Sequence, residues 1–492
     1  MTDYICAIDQ GTTGSKALIL DDELTVHSRV VREFEQIYPE PSWVEHDPES
    51  IWYSTLEAIA EARQLAGIDP GEIEAVGITN QRETTLLWDR ATGDPVYNAI
   101  VWQDRRTADR LETLKDAGHE DAVREKTGLL LDPYFSAPKL EWIFNNVENS
   151  YDRAINGELA FGTVDSFLLW RLTGGEVHGT DPSNASRTLL LNLETGDWDP
   201  ALLDLFDIPE AVLPRVLDSS GTLGTVQDVE PLQDGTPICG LAGDQQAALF
   251  GQACFESGQA KCTYGTGAFL LSNIGNEIVL SENRLLTSAG WRINGEITYI
   301  LEGSAFMAGA MVQWLRDGLG IIDSADEVEA LARRVDDSGD VVVVPSFTGL
   351  GAPYWKADAR GLITGLTRNS SDAHIARATL EGIALQNRDI FEAMENDLGG
   401  QIHDVRVDGG ASQNNLLMQL QADFLNQSVT RPAMTETTLL GAGMLAGLGC
   451  GIYSSLSDLK QEYPRDETFE ATMSEEDRSE AIDRWKNALS KI

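Results

Sequence analysis

Cysteine and histidine are both scarce in this sequence, with five and six residues among 492. The cysteines are odd in number, scattered and mostly within apolar segments, which predicts small core side chains rather than a disulfide framework or a zinc site. The six histidines show no H-E-x-x-H or other paired spacing. The five cysteines are Cys6, Cys239, Cys254, Cys262 and Cys450.

Long hydrophobic runs are also missing. No apolar run approaches the roughly 18 residues that span a membrane. The first predicted strand begins at residue 4, which leaves no room for a secretory signal peptide. We therefore expect a cytoplasmic protein that does not insert into membranes.

Lysine is rare, whereas acidic residues are abundant. Nine of the 36 basic residues are lysine and the other 27 are arginine, against 79 aspartates and glutamates, so the formal net charge is -43. The acidic residues are spread along the chain, which excludes a disordered acidic tail. A surface this negative repels nucleic acid and anionic membranes, so neither is expected as a partner.

Self-repulsion of this size destabilises a compact protein at ordinary salt. At molar salt the Debye length falls to about 3 Å and the repulsion is screened. The composition therefore indicates a salt-rich cytoplasm of the kind found in extreme halophiles. A merely acidic protein from an ordinary cell is the alternative.

Two common nucleotide-binding motifs are absent. The sequence contains no G-x-x-x-x-G-K-[ST] segment, and no G-x-G-x-x-G follows a predicted strand. P-loop and Rossmann-type nucleotide binding thereby lose their main support.

A polar turn near the N-terminus offers a different phosphate site. Residues 4–20 consist of two apolar runs around a turn with two glycines, which predicts a β-hairpin. The turn carries the carboxylate of Asp9, a series of backbone amides and the hydroxyls of Thr12, Thr13 and Ser15. Amides and hydroxyls bind phosphate, and a neighbouring carboxylate holds Mg²⁺ directly or through water. For this turn alone, an ordinary hairpin with a hydroxyl-rich tip is the alternative.

The same pattern recurs in the second half of the chain. Residues 260–271 repeat the strand, the Gly-Thr turn and the strand, and residues 405–412 form a glycine turn before a helix predicted at 415–420. Three such turns in two halves indicate a nucleotide held between two related domains. A chain of 492 residues suits two domains of roughly 250 residues each.

Arg82 and Glu83 follow a buried strand predicted at residues 73–79. Ligands of α/β sheets bind beyond the carboxyl ends of the strands, and a guanidinium beside a carboxylate suits the vicinal hydroxyls of a polyol. Trp102 offers a flat face for the carbon side of such a substrate. The alternatives are a surface charge pair and a core tryptophan.

Asp244 follows a short strand and glycine turn at residues 236–243 and precedes a helix of small residues. An aspartate in this position is commonly a helix N-cap. Here it lies between the elements of the first half and the second hairpin, where a cleft between domains is expected. Asp244 is therefore the candidate general base.

Taken together, these segments are similar to the FGGY family of carbohydrate kinases. The similarity runs in order from about residue 4 to about residue 460 and is carried by residues 9–13, 79–84, 102, 132–136, 243–251, 264–267, 347–355 and 407–410. The resemblance implies a two-domain α/β fold of the actin/hexokinase/Hsp70-like (ribonuclease H-like) type, with an interdomain cleft. The implied domains are residues 1–251, which bind substrate and phosphate, and 252–492, which bind the nucleotide.

The resemblance also implies an activity. This activity is the ATP-dependent phosphorylation of glycerol to sn-glycerol 3-phosphate, with Mg²⁺ as the metal. The expected assembly is a homo-oligomer, either a dimer or a tetramer. Two alternatives stay open, a kinase for another small polyol or ketose and a nucleotide-binding sensor that transfers nothing.

The resemblance extends to individual site residues. The positions implied for glycerol are Thr12, Arg82, Glu83, Trp102, Tyr134, Asp244, Gln245 and Phe269, with Asp244 as the catalytic base. Those implied for the nucleotide are Thr12, Thr13, Gly14, Lys16, Thr266, Gly309, Gln313, Gly410 and Asn414, and Asp9 is implied for Mg²⁺.

Three positions depart from the family pattern. Lys16 stands where arginine is common, which keeps the charge but loses the bidentate fork, and Gly14 stands where serine is common. Residues 226–235 are acidic and lack the arginine of the loop that binds fructose 1,6-bisphosphate in some members, so that regulation is not predicted.

The charge balance generates a first prediction. Lowering KCl from molar concentration to about 0.1 M lengthens the screening distance to roughly 10 Å and unmasks repulsion among the carboxylates. We expect the melting temperature, followed by circular dichroism, to fall steeply over this range. A melting temperature that stays flat would contradict the halophile interpretation.

Overall fold

The computed structural model describes residues 3–356, 358–462 and 466–492. The strands are β1 (Tyr4–Gln10), β2 (Gly14–Leu20), β3 (Val26–Glu33), β4 (Glu45–His46), β5 (Ile73–Asn80), β6 (Leu86–Asp89), β7 (Ala99–Ile100), β8 (Leu159–Gly162), β9 (Gly179–Thr180), β10 (Leu191–Asn192), β11 (Asp197–Trp198), β12 (Arg215–Val216), β13 (Ser220–Thr225), β14 (Pro237–Gly243), β15 (Gln259–Tyr264), β16 (Ala268–Gly275), β17 (Leu286–Ile293), β18 (Glu296–Ala305), β19 (Val342–Val344), β20 (Leu362–Thr364), β21 (His403–Asp408), β22 (Val429–Pro432) and β23 (Asp466–Phe469).

Helices alternate with groups of strands along the chain. They are α1 (Pro48–Ala66), α2 (Ala108–Asp116), α3 (Glu120–Thr127), α4 (Ala137–Asn146), α5 (Ser150–Ile155), α6 (Val164–Leu172), α7 (Pro182–Ala185), α8 (Pro200–Leu205), α9 (Asp244–Gly251), α10 (Gly309–Asp317), α11 (Glu327–Ala332), α12 (Asp372–Leu398), α13 (Asn415–Leu425), α14 (Thr437–Cys450), α15 (Leu456–Glu462) and α16 (Glu475–Leu489). Short 3-10 turns occur at Pro70–Glu72, Glu210–Val212 and Gly410–Gln413.

The two halves of the chain repeat one sheet pattern. In the first half the strand order is β3-β2-β1-β5-β14, with β1, β2 and β3 antiparallel and with β5 and β14 parallel to β1. In the second half the order β18-β16-β15-β21-β22 has the same directions. The two related halves predicted from the repeated turns are therefore present.

The sheets of the two halves form one continuous 13-stranded sheet. Strand β13 joins them, because it pairs antiparallel with β14 on one side and meets β17 at Ser220 and Ile293 on the other. Each half thus contributes a mixed set of parallel and antiparallel strands to a single sheet.

Both predicted hairpins form around the expected turns. In the first, Asp9 pairs with Lys16 and Gln10 with Ser15, and the Gly11 amide donates to the Gly14 carbonyl oxygen at 2.9 Å. A Cβ atom at Gly14 would lie 2.6 Å from the carbonyl oxygen of Arg32, so the neighbouring strand leaves no room for a side chain there. This position therefore contributes only its backbone.

A helix from the second half of the sequence covers the sheet of the first half. Helix α14 packs on β1, β5, β14 and α9. The approach is so close that a Cβ atom at Gly441 would lie 1.8 Å from the carbonyl oxygen of Ala247, and one at Gly251 would lie 1.9 Å from that of Thr437. Because α9 begins at Asp244, this contact fixes the helix that carries the candidate base.

The cysteines lie where the sequence predicts. All five are free thiols, four of them buried and Cys450 partly buried. Burial raises the pKa of the Cys6 thiol to about 12. In the part of the chain that the structure describes, no helix combines the length and apolar character needed to cross a membrane.

The α9–α14 contact generates a second prediction. Replacing Gly441 with alanine places a methyl group against backbone that cannot move aside, so the free energy of unfolding should fall by about 1–3 kcal/mol or more. Urea denaturation at constant salt measures it. The control is Gly400→Ala, where a Cβ atom meets nothing within 4 Å and the change should stay within about 0.5 kcal/mol. Equal effects of the two substitutions would contradict the packing argument.

Candidate active site

Arg82 lies beyond the end of β5 and is held by a strand of the other half of the chain. Its Nη1 and Nη2 donate to Glu302 Oε2 at 2.6 Å and Oε1 at 3.1 Å. Both side chains are buried, with 1% and 3% of their surface exposed. A bidentate pair of this kind fixes the plane of the guanidinium as well as its position.

Glu83 is paired with a different arginine. Its Oε1 accepts from Arg187 Nε at 2.7 Å, whereas Arg82 Nε is 3.7 Å away. The expected local pair of Arg82 and Glu83 is therefore only a secondary contact. The backbone of Glu83 has φ 54°, in the left-handed region, which turns its side chain toward Arg187. Such a conformation is costly for a residue other than glycine and is concentrated at functional sites.

Two arginines and two glutamates make a closed buried cluster. Arg187 completes it by donating from Nη2 to Glu302 Oε1 at 3.2 Å and from Nη1 to Ser288 Oγ at 3.0 Å. The cluster carries no net charge when all four groups are ionised, which is the condition under which burying ions is tolerable.

The two carboxylates respond differently to the same arginines. Burial raises the pKa of Glu83, and the nearby Arg82 and Arg187 offset this only in part. Burial acts in the same direction on Glu302, but Arg187 and Arg82 outweigh it and lower the pKa of Glu302 to about 2. The neighbouring charges account for the difference, because Lys261 adds to the two arginines in lowering the pKa of Glu302, whereas the charge of Glu302 raises the pKa of Glu83.

One N–H group of this cluster makes no hydrogen bond with the described residues. Arg82 Nε is buried and makes no hydrogen bond with any residue that the structure describes. Asp244 Oδ1 lies 3.3 Å from it. The Asp244 side chain is 32% exposed, in contrast to the enclosed guanidinium. The Nε–H of Arg82, which makes no hydrogen bond with the described residues, therefore lies beside the partly exposed carboxylate of Asp244.

Asp244 is not a helix N-cap. Gly243 occupies that position and Asp244 is the first residue of α9, with its Oδ1 accepting from the adjacent Gln245 amide at 2.7 Å. The structural alternative considered for this residue is therefore wrong. A Cβ atom at Gly243 would lie 2.7 Å from Arg82 Cγ, so glycine is needed for Asp244 to approach Arg82.

Aromatic side chains enclose the same region. Trp102 donates from Nε1 to Thr12 Oγ1 at 2.9 Å, and its ring meets that of Tyr134 edge to face at 5.5 Å. The Tyr134 hydroxyl lies 3.5 Å from Arg82 Nη2. Phe269, on β16, is partly buried and packs on the apolar cluster that contains residues of α9.

The loop that carries Tyr134 is held by a buried lysine. Lys139 Nζ donates to the carbonyl oxygens of Pro133, Tyr134 and Phe135 at 2.5, 2.9 and 2.8 Å. Burial lowers the pKa of Lys139 to about 7. Three backbone acceptors on one ammonium leave this loop little freedom.

Asp9, at the end of β1, is the candidate metal ligand. Its Oδ2 accepts from Lys16 Nζ at 3.1 Å, and Lys16 also lies 3.6 Å from Glu436 Oε2. Burial raises the pKa of Asp9. The positive charge of Lys16 lowers this pKa, whereas the negative charge of Asp244 raises it, so the two aspartates repel each other. Among the described residues, no group of three or more His, Cys, Asp or Glu is arranged around a common metal position. The donor set suits Mg²⁺, which binds through one or two carboxylates, water and phosphate oxygens.

The remaining predicted residues gather on the second half. Thr266 and Gly309 meet where the second turn packs on α10, since a Cβ atom at Gly309 would lie 2.6 Å from the carbonyl oxygen of Gly265. Gln313 is exposed on α10. The third turn packs against the second, because a Cβ atom at Gly409 would lie 2.5 Å from the carbonyl oxygen of Tyr264.

Asn414 begins the helix after the third turn. It caps α13 by accepting at Oδ1 from the Leu417 amide at 2.9 Å. Gly410 lies in the same turn. These residues do not touch the cluster around Arg82 in the described chain, so the site has two parts.

Sequence reasoning missed three charged residues of the site. Arg187, Glu302 and Lys261 are buried, and each pairs with a predicted residue. Lys261 has the apolar Ala260 and Cys262 on either side in its strand, and Glu302 follows the hydrophobic residues 299–301 of its strand, a placement that is rare unless the charge is paired. That pattern was the available indication.

Comparison with known families covers nearly the whole chain. The N-terminal domain of the FGGY family of carbohydrate kinases matches residues 4–251, and the C-terminal domain of that family matches residues 260–450.

Glycerol kinases are among the curated relatives that this chain matches over nearly their full length. That of Bdellovibrio bacteriovorus is 52% identical over 493 residues, covering 100% of this chain and 100% of the relative. That of Aromatoleum aromaticum is 55% identical over 488 residues, covering 99% and 98%.

Solved structures share the fold. Plasmodium falciparum glycerol kinase with ADP has a TM-score of 0.95 at 36% identity, covering 100% of this chain and 98% of that one. Gluconate kinase from Lactobacillus acidophilus has a TM-score of 0.89 at 22% identity with the same coverage, a likeness of fold alone. The predicted actin/hexokinase-like fold is confirmed.

The buried cluster generates a third prediction. Because the pKa of Glu302 lies at about 2, below its ordinary 4.5, ionised Glu302 stabilises the folded protein above pH 4.5, and this contribution is lost as the pH falls toward 2. Glu302→Gln removes one of the two buried carboxylates that pair with Arg82 and Arg187, so the buried cluster is left with an excess positive charge, and the free energy of unfolding should fall by about 3–5 kcal/mol at pH 7. Urea denaturation at fixed salt should show that the difference in unfolding free energy between wild type and Glu302→Gln becomes smaller below pH 4.5.

The matched control is Glu480→Gln, which breaks an exposed pair with Arg484 on α16 and should change stability by less than about 0.5 kcal/mol. A loss of unfolding free energy for Glu302→Gln that is as small as that of the control, or that does not depend on pH, would contradict the role of ionised Glu302 in stabilising the cluster.

Proposed function

Since the chain belongs to the FGGY family of carbohydrate kinases, we propose that it transfers the γ-phosphoryl group of ATP to a terminal hydroxyl of glycerol, forming sn-glycerol 3-phosphate. The observation that carries this proposal is the position of Arg82 Nε, a buried donor that makes no hydrogen bond with the described residues, 3.3 Å from the open carboxylate of Asp244. The sequence likeness to full-length glycerol kinases points to the same substrate.

The arrangement suits a hydroxyl. A hydroxyl oxygen can accept from Arg82 Nε while its proton is donated to Asp244. Glu83, Tyr134 and Gln245 supply further polar groups for the neighbouring hydroxyls. The rings of Trp102 and Phe269, with Thr12 at the edge, would cover the carbon chain.

Asp244 would act as the general base. It takes the proton of the terminal hydroxyl as that oxygen forms a bond to the γ-phosphorus, and the bond from phosphorus to the bridging oxygen of ADP breaks. The amides of the first turn, Thr12, Thr13 and Thr266 would stabilise the charge on the transferred group. Closure of the halves would keep water from taking the place of glycerol.

The nucleotide would lie along the second part of the site. Gly14 and Lys16 of the first turn would contact phosphates, with Thr266, Gly309, Gln313, Gly410 and Asn414 on the other side. Asp9 would hold Mg²⁺, which neutralises phosphate charge when bound. The helix starts of α10 and α13 add amide donors near Gly309 and Asn414.

The wider setting is also part of the proposal. We place the division between substrate-binding and nucleotide-binding domains at residues 251 and 252. The protein would work as a dimer or tetramer in a salt-rich cytoplasm, for which the net charge of -43 is the supporting observation.

A coupled assay for ADP release at molar KCl tests the activity. Glycerol should be the preferred acceptor in a panel with other triols, tetritols, xylulose and gluconate, and release should depend on Mg²⁺. Preference for a ketose or aldonate would favour another kinase of the family. ATP binding without any transfer would favour a sensor.

Asp244→Asn provides the fourth prediction. Asparagine has the size of aspartate and its Oδ1 can still accept from the Gln245 amide, so the fold should be kept. Loss of the base should lower kcat by about 10²–10⁴. Turnover, ATP affinity and melting temperature are compared at matched salt with Asp483→Asn, an exposed aspartate of α16. Turnover of Asp244→Asn within about threefold of wild type, far below the usual contribution of a general base, would show that Asp244 is not the base.

A further inference from the structure

Lys261 is a buried cation whose role the proposed chemistry leaves open. It lies in β15 between Ala260 and Cys262, and its side chain is inaccessible to solvent. Burial lowers the pKa of Lys261, while the charges of Asp408 and Asp244 raise it. A lysine in this setting is retained where its ammonium has specific partners.

The partners of Lys261 connect the two halves of the chain. Its Nζ donates to Gln245 Oε1 at 2.5 Å and to Thr263 Oγ1 at 2.8 Å. Gln245 belongs to α9 of the first half and follows Asp244 directly. The ammonium therefore reaches from the nucleotide-binding half into the region of the candidate base.

The chemistry of the two groups determines which way the Gln245 amide faces. An ammonium has donors only, so it must meet the oxygen of the amide and not its nitrogen. The amide nitrogen then lies on the side away from Lys261. No described residue accepts a hydrogen bond from Gln245 Nε2, and the Gln245 side chain is only partly buried.

We propose that Lys261 is a positioning residue for substrate binding, which locks the Gln245 amide so that its Nε2 is offered to a glycerol hydroxyl. This inference rests on the proposed function, in which Gln245 contacts glycerol. The hydroxyl next to Gln245 must then accept a hydrogen bond, whereas the hydroxyl next to Asp244 must donate one. The two hydroxyls are then held by hydrogen bonds of opposite direction, which fixes how glycerol is oriented between Gln245 and Asp244.

The lock also depends on closure. Lys261 and Gln245 come from different halves, so the amide is oriented only when the two halves are together. Glycerol affinity should therefore depend on the same contact that brings the nucleotide-binding half toward Asp244.

A double-mutant cycle tests the proposal. Glycerol and ATP affinities are measured by calorimetry for wild type, Lys261→Met, Gln245→Ala and the double variant, at constant high salt. We expect each single variant to weaken glycerol binding about tenfold or more and ATP binding less than about threefold, as one lost hydrogen bond to a charged or oriented group would do. The double variant should bind glycerol no more weakly than Gln245→Ala, because Lys261 acts through that amide.

The matched control is Thr263→Val, which removes the other acceptor of Lys261 and should leave glycerol affinity within about threefold, well below the loss expected from Lys261→Met. Lys261→Met binding glycerol as well as wild type, or losses that multiply in the double variant, would overturn the proposal. Wild type that binds ATP but no glycerol would instead overturn the proposed function, and this inference with it.

If Lys261→Met does not fold, a crystal structure of the wild-type protein with glycerol tests the proposal instead. Lys261 Nζ should stay within hydrogen-bond distance of the Gln245 amide, and the other amide atom should contact a glycerol oxygen. A Gln245 side chain turned away from Lys261 in that complex would overturn the proposal.

Discussion

The ion pair between Arg82 and Glu302 is the contact on which the rest of the site depends. It links the two halves of the chain and holds Arg82 with its Nε 3.3 Å from Asp244. Buried charges are stable only when they are paired, and removing one partner costs more than the pair contributes. Arg187 and Glu83 complete a neutral set, so the four residues hold their places together.

The site is divided between halves that repeat one sheet pattern, and contacts in several places hold these halves together. Glu302 reaches Arg82, Lys261 reaches Gln245, and α14 packs glycine against backbone under α9. Each contact converges on the short helix that begins with Asp244. A movement of one half relative to the other would therefore change the base, the donor beside it and the amide next to it at the same time, which connects packing to the closure expected of such a kinase.

What the sequence predicted well were local features. The hairpins around Asp9 and Thr266 and the position of Asp244 after a strand follow from patterns within about ten residues. The pairing of charges did not follow, since Arg82 and Glu302 are 220 residues apart. The neighbours Arg82 and Glu83 do meet, at 3.7 Å, but the shorter contact of Glu83 is with Arg187, which is 104 residues away in the sequence. The resemblance to a known family implied which residues contact the substrate, but it did not imply the charged residues that pack against them.

Arg82→Lys is the most direct test of the account, since it keeps the positive charge but removes both the bidentate contact to Glu302 and the Nε donor beside Asp244. Steady-state kinetics at high salt would give kcat/KM for glycerol and the KM for ATP. The account predicts that kcat/KM for glycerol falls by about 10² or more, while the KM for ATP changes little. Equal losses for both substrates, or a glycerol value close to that of wild type, would contradict it.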